Sequence, residues 1–393
     1  MEYKECWQIA NIVNGFVFKS SQYVANGIRV IRIANVQDGY ISDESPCYYP
    51  MEQEKNIGNA MLKENDLLMS LTGNVGRVAI LDKSFLPAGL NQRVECIRPY
   101  DIKDNEYLYY YFRSKQFQTK AMSAATGSAQ LNLSVEWVKK HKIPFYNDEL
   151  RKSIVKELKS LDLALNIKKT ALQSLDELVK SRFIEMFGNY FEDKSRLVKI
   201  SSLATSSIGL TYKPENVSEE GTIVLRSGNI QNAELHLEKD IVRVSNVKIK
   251  DDKYVRENDI LMCSRNGSAK LVGKCCRIPK LEEPMTYGAF MTVIRSDYPY
   301  FLNGFFNSAY FVQQLTGTQT ASVNQITTGM LNNYDVILPT KDEENEFAEF
   351  VKLIDKSKFV CHSKNFLCDI FTFSSSTIAY PSVVSIFVCP KRC

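Results

Sequence analysis

The chain has 393 residues, 44% of them apolar and 24% charged, and carries a net charge of +4. That length suits two or three domains, and the composition excludes a wholly disordered, collagen-like or multi-span membrane chain. The mild positive charge does not by itself require a polyanionic partner, and three histidines leave little material for histidine-based metal or acid–base chemistry.

Met1–Ala10 is charged and lacks an apolar core, so no secretion signal is expected, and the thiols are expected to be reduced in the cytoplasm. Short β-branched segments between Gly, Asn and Asp turn signals follow at 28–34 and 78–81. An aromatic stretch at 106–117 reads as a helix. A polar loop covers 126–133, and an apolar segment ends at Pro144.

Residues 150–187 contain neither Gly nor Pro. Ile154, Leu158, Leu161, Leu165, Leu172, Leu175, Val179 and Met186 fall on 4-3 spacing, interrupted by Lys168 and Arg182. This predicts a heptad helix about 48 Å long at roughly 1.5 Å per residue. Asn147-Asp148 offers its N-cap and Gly188 its C-cap. Such a seam needs a partner helix.

Beyond Gly188 the grammar starts again. Residues 222–232 (TIVLRSGNIQN) repeat 28–38 (IRVIRIANVQD), matching Arg32 with Arg226, Asn35 with Asn229 and Gln37 with Gln231. ENDLLM at 64–69 recurs as ENDILM at 257–262, YFRS at 111–114 as FFNS at 305–308, and Leu161-Asp162 as Ile354-Asp355. Every block sits at an offset of 193 or 194, too long for a solenoid unit, so the chain holds two copies of one α+β domain. Copy two is expected to place strands at 222–225 and 270–278, a helix at 301–315 and a loop at 316–326. Phe347, Val351 and Ile354 then open a second heptad helix that stops near Lys358.

Residues 361–393 leave the pattern. They hold four of the ten cysteines and no charge between Ile370 and Pro390. Seven Ser/Thr and Pro381 in that stretch argue against a membrane span. The spacing of Cys361, His362, Cys368, Cys389 and Cys393 fits no structural zinc site.

Phosphate-cradling, dinucleotide, zinc-protease and nucleophile-elbow motifs are all absent, as is an Asn-Pro-Pro-aromatic methyltransferase run. What remains is a set of polar loops whose residue types read base edges and hold phosphates. Copy one offers Lys19, Ser20 and Ser21, then Thr72, Asn74 and Arg77, Asn91, Gln92 and Arg93, and Ser128, Gln130 and Asn132. Copy two offers Lys213, Ser264, Arg265, Asn266, Lys270, Tyr287, Thr320, Ser322, Asn324 and Gln325. The loops recur while their residues differ, as two readers of two half-sites would need. Arg32 and Arg226, each three residues before an Asn, read equally well as turn braces.

FKSSQY (18–23), VIRIANVQDGYI (30–41), ENDLLMSLTGNVGRVAIL (64–81), LNQRVECIRP (90–99), TGSAQLNLS (126–134) and LDELVKSRFIEMFGN (175–189) carry a resemblance. Over about residues 7–360 the chain resembles the specificity (S) subunits of type I restriction–modification enzymes. The resemblance implies target-recognition domains at 1–146 and 191–340, a central coiled-coil helix at 147–190, the start of a C-terminal helix at 341–360 and an atypical tail at 361–393. It implies that each repeat reads one half of a bipartite site in double-stranded DNA. The helices would pair antiparallel, space the halves and dock two methylation subunits, to which restriction subunits are added. S-adenosylmethionine, ATP and Mg would then sit on those partners. This chain is expected to be non-catalytic, to bind no cofactor or metal and to have no membrane contact.

The family's second helix runs well past Asp355, whereas here the pattern degenerates by Cys361. That predicts an exposed seam around Leu165–Met186 and weakened docking of at least one methylation subunit. An inactive or truncated allele, a coiled-coil scaffold without DNA binding, and a DNA methyltransferase or nuclease in its own right are the competing readings.

Overall fold

The computed structural model describes residues 2–238, 240–318 and 325–362, and within them the two copies build matching elements. Copy one contributes β1 (Glu2–Glu5), β2 (Ala10–Asn14), β3 (Ile28–Ile31), β4 (Leu67–Ser70), β5 (Val78–Ile80), β6 (Ala88–Leu90), β7 (Val94–Pro99), α1 (Asn105–Arg113), α2 (Lys115–Ala124), α3 (Val135–Lys140) and β8 (Lys142–Phe145). Then comes α4 (Asp148–Glu192), a single helix of 45 residues. Copy two contributes β9 (Leu197–Lys199), β10 (Ala204–Ile208), β11 (Thr222–Leu225), β12 (Ile260–Cys263), β13 (Cys275–Arg277), β14 (Met285–Tyr287), β15 (Met291–Ser296), α5 (Pro299–Phe306), α6 (Ala309–Thr318), α7 (Thr328–Asn333), β16 (Asp335–Ile337) and α8 (Lys341–His362).

Topology repeats with the elements. An antiparallel sheet of order β2-β7-β4-β5 in copy one returns as β10-β15-β12-β13 in copy two. The parallel pair β3/β6 returns as β11/β14, and the antiparallel pair β1/β8 as β9/β16. Successive strand residues face opposite sides of a sheet. Leu67 and Met69 therefore join the core that contains the aromatic face of α1 and α2, while Leu68 joins the core around β3 and β6. Ile260 and Met262, against Leu261 and Cys263, divide the same way in copy two. The chain is thus α+β, with two repeated domains and a long helix between them in sequence. Its contacts divide into two compact units, and the division falls inside α4 after Asn166.

The aromatic helix expected at 106–117 is two helices. Ser114 leaves the helical region, and its Oγ accepts the Phe117 N–H at 3.2 Å, capping α2. The stretch expected at 301–315 breaks at the matching place, between α5 and α6. At the start of α4, Asn147 accepts the Leu150 N–H at 3.0 Å, as an N-cap does. Gly188 is not the C-cap: it is buried inside the helix, which runs on to Glu192.

The heptad positions of α4 do not form one uniform seam. Ile154 and Leu158 are buried in the core of copy one, with Leu161 packed against it. Val179 and Met186 pack against the core of copy two. Leu165, Leu172 and Leu175 are half-buried. The deepest residues of the second half are Phe183 and Phe187, which meet Phe301 and Phe347. Phe183 and Phe187 lie one position past Arg182 and Met186 of the heptad pattern, on the side of α4 that meets α5 and α8. The second helix, α8, continues past Lys358 to His362 and runs antiparallel to the second half of α4: Glu346 and Phe350 meet Arg182, whereas Lys358 meets Asp176. The tail beyond it lies outside the described residues.

Candidate nucleic-acid interface

The repeated sequence blocks prove to be frame, and the residues between them make the surface. Asn35 is buried; its Oδ1 accepts the Arg32 N–H at 3.0 Å and its Nδ2 donates to the Ser42 carbonyl at 3.0 Å. Asn229 does the same with Arg226 N–H at 2.9 Å and the His236 carbonyl at 3.2 Å. Each Asn braces a turn.

In copy one the loop leaving β4 lies between two others. The Leu71 N–H donates to the Arg93 carbonyl at 3.1 Å, and the Leu71 carbonyl accepts the Leu133 N–H at 2.7 Å. Thr72 faces Asn132 in an isolated bridge, its Oγ1 donating to Asn132 Oδ1 at 2.8 Å. Gly73 has φ +74° and lies so close to Gln130 that a Cβ would stand 3.1 Å from Gln130 Nε2. In the amide orientation that satisfies both partners, Asn74 accepts from Arg77 at 3.3 Å, and Arg77 also donates to Gln37 at 2.7 Å. Asn91, Gln92 and Arg93 form the turn from β6 to β7, where the Val94 N–H reaches the Asn91 carbonyl at 2.9 Å.

The fold therefore brings Thr72, Asn74, Arg77, Asn91, Gln92, Arg93, Gln130 and Asn132 together at one end of the sheet. Ser128 is exposed on the loop whose ends Thr126 and Asn132 join. Lys19, Ser20 and Ser21 are exposed around a separate 3-10 turn, and no hydrogen bond among the described residues ties them to this cluster.

Copy two uses the same frame with other side chains. The Ser264 and Arg265 N–H groups donate to the Phe290 carbonyl at 3.0 and 3.1 Å, and the Ser264 carbonyl accepts the Ile326 N–H at 2.7 Å. Arg265 bridges Gln325 where Thr72 bridges Asn132. Asn266 donates to Ser227 Oγ at 3.2 Å, and Lys270 is exposed on the turn that follows. Lys213 is also exposed, paired with Glu215 at 3.4 Å.

Two of the sequence-derived candidates point inward. Tyr287 is fully buried on β14 and its hydroxyl donates to Ser207 Oγ at 3.0 Å; burial pushes its pKa up. Ser264 is buried with its Oγ on the Phe290 carbonyl at 3.0 Å, so its hydroxyl completes the frame. Thr320, Ser322 and Asn324 lie outside the described residues. Phe290 was not among the candidates. It is 61% exposed at the place of Arg93, and the ring lies under the Arg265 guanidinium. Its signal was the alignment of LNQRV (90–94) with YGAFM (287–291), which the offset of 193–194 misses because the second copy is longer before β13.

Behind the copy-one cluster lies an unusual carboxyl. Glu95, on β7 beside Cys6, is 1% exposed, and its Oε1 has no hydrogen-bond partner. Burial pushes its pKa up to about 8, against a smaller downward pull from Lys139. Among the described residues no group of His, Cys, Asp or Glu is placed to hold a metal ion, and no helix is long and apolar enough to cross a membrane.

Residues 1–177 match the family model of the type I restriction modification DNA specificity domain. The MjaVIII type I restriction enzyme specificity subunit of Methanocaldococcus jannaschii is 26% identical over 178 residues, which is 44% of this chain and 42% of that protein. The EcoAI specificity subunit of Escherichia coli is 33% identical over 114 residues, 28% of this chain and 19% of that protein. The matched stretches thus span less than half the length of either relative. The crystal structure of the type I restriction–modification S subunit from M. genitalium aligns over 99% of this chain and 96% of that one with a TM-score of 0.52 at 13% identity, a likeness of fold.

Proposed function

We propose that this chain, which carries a type I restriction modification DNA specificity domain over residues 1–177, is the sequence-reading subunit of a type I restriction–modification complex. Each repeat reads one half of a bipartite site in double-stranded DNA. One observation carries this reading: a single loop frame occurs twice, holding Thr72 and Asn132 in copy one and Arg265 and Gln325 in copy two. A protein reading two different half-sites needs a constant frame and variable tips. Copy one presents Thr, Asn, Gln and Arg, and copy two Arg, Asn, Gln and Lys, the side chains that pair with base edges and phosphates.

In this reading the chain is non-catalytic and holds no cofactor of its own. S-adenosylmethionine, ATP and Mg belong to two methylation subunits and to restriction subunits, which act in the cytoplasm. Helices α4 and α8 supply the spacing between half-sites and the docking surface. The loss of the heptad pattern by Cys361 weakens the hold on at least one methylation subunit.

Modified-base sequencing of DNA from a host expressing this chain with its methylation subunits tests the reading. Methyladenine confined to one split motif is the expected result. If no motif appears even when a full-length heptad helix is restored after Lys358, the reading is wrong. Duplex DNA binding that weakens steeply with salt separates it from a scaffold without DNA binding.

A further inference from the structure

The two loop frames differ where copy one has Thr72 and Arg93 and copy two has Arg265 and Phe290. The frame does not require a ring at position 290. It is the Phe290 carbonyl that holds the Ser264 and Arg265 N–H groups, and the side chain is 61% exposed in the turn between β14 and β15. An isolated exposed ring is ordinary, but this one carries a cation. The Arg265 guanidinium lies over it, 5.6 Å from the ring centroid.

Among the described residues Arg265, like Arg226 and Arg256, has no carboxylate partner, whereas Arg243, Arg277 and Arg295 of the same repeat each sit on an acid. Its backbone is fixed on both sides, by the Phe290 carbonyl and by the bridge to Gln325. The result is a guanidinium on an anchored stem, lying over a ring and with no acid among the described residues to neutralise it. That planar fork matches the O6 and N7 acceptors that guanine shows in the major groove. A fork whose plane is already set loses less freedom on binding than one on a free side chain.

We propose that Arg265, positioned by Phe290, reads a guanine in the half-site bound by repeat two. The assignment rests on the DNA-reading function proposed above. Thr72, at the same place in copy one, has no fork, so repeat one makes no such contact from this position. A phosphate contact would use the same charge, but it carries no sequence information.

The test uses the chain assembled with its methylation subunits. Host DNA is sequenced for methyladenine, and the purified complex is competed with duplexes in which each motif position is changed in turn. One half of the wild-type motif should hold a G·C pair whose replacement weakens binding roughly 10–100-fold. Arg265→Ala should abolish discrimination at that position and leave untouched the half that Asn132→Ala alters. Phe290→Ala should lose much of the same discrimination, and Phe290→Tyr, which keeps the ring, should restore it.

Equal weakening of every duplex by Arg265→Ala identifies a phosphate contact and overturns the assignment. So does a motif that Arg265→Ala leaves unchanged. Equal behaviour of Phe290→Ala and Phe290→Tyr overturns the positioning role. A complex that methylates no split motif even with a full-length heptad helix restored after Lys358 overturns the proposed function itself, and with it this assignment; a split motif indifferent to Arg265 overturns the assignment alone.

Discussion

Asp66 and Arg98 are joined between neighbouring strands of the copy-one sheet, with Arg98 Nε donating to Asp66 Oδ1 at 2.7 Å. Asp259 and Arg295 form the same pair in copy two at 2.9 Å. In both copies the Asp also accepts the N–H three residues before it, from Lys63 or Arg256, at 2.8 Å. The preceding Asn65 and Asn258 take φ +67° and +70°, a conformation that Asn tolerates better than most residues. The repeated Glu-Asn-Asp run is therefore a locked turn that starts the central strand and ties it to its neighbour.

Breaking that lock should cost each domain separately. Arg98→Ala leaves the Asp66 carboxylate buried without its cation, and about 3 kcal/mol of stability should be lost. Arg295→Ala should do the same to copy two. Urea unfolding followed by hydrogen exchange in each domain checks this. Loss spread equally over both domains from either single variant would contradict it.

The pH response of the first domain follows from two buried groups. Glu95 has a folded pKa of about 8 against an ordinary value of 4.5. Between those values the folded chain keeps a proton that the unfolded chain releases. Stability from this group is therefore complete at low pH and falls as pH rises through the window, by up to about 1.4 kcal/mol per unit. His141 behaves oppositely. Its Nε2 lies 2.9 Å from the Tyr111 hydroxyl, and burial, with a smaller push from Lys120, lowers its pKa to about 4 from 6.5. Its contribution is complete above 6.5 and is lost as pH falls toward 4. The two slopes oppose each other between 4.5 and 6.5, so stability should be nearly flat there and decline on both sides. Glu95→Gln should remove the alkaline decline in thermal denaturation from pH 5 to 9. A variant profile parallel to that of the wild type would rule the account out.

Asn35→Ala and Asn229→Ala test the frame itself. Each removes a buried amide that satisfies one backbone N–H and one carbonyl, so a loss of about 1–3 kcal/mol is expected. Methylated-base sequencing at a temperature where the variants stay folded should return an unchanged motif. A changed motif would move Asn35 or Asn229 from frame to reading surface.

These pairs explain what the sequence made legible. Asn35, Asp66, Asn229 and Asp259 recur because a turn with a given hydrogen-bond demand accepts few residue types, so the repeat shows in the letters. The two-helix break at Ser114 was hidden because Ser in an aromatic run does not by itself mark a cap. Phe183 and Phe187 were hidden because they lie one position past Arg182 and Met186 of the heptad pattern, on the side of α4 that meets Phe301 of α5 and Phe347 of α8. A tyrosine suits either side of a sheet, and only its place on β14 turns Tyr287 inward to Ser207. Loop tips such as Phe290 carry no repeated letters, since in this reading their difference is their use.

Lys358 fixes the last described turns of α8. Its ammonium lies 2.5 Å from Asp176 on α4 and 2.8 Å from Glu234, while Asp355 on the turn before pairs with Arg277 at 3.1 Å. Burial pushes the Asp355 pKa up, and Arg277 and then Lys358 pull it back down. Lys358→Met keeps the stem and removes the charge. Asp176 and Glu234 then lose their shared cation, and Asp355 loses a stabilising neighbour. The second domain should lose about 1–3 kcal/mol, and amide exchange should accelerate first in residues 355–362. Asp176→Asn added to Lys358→Met should recover part of the loss, because one orphaned charge is gone. Unchanged exchange at the end of α8 in the single variant would show that apolar contact with α4, and not this ion triple, holds the helix down.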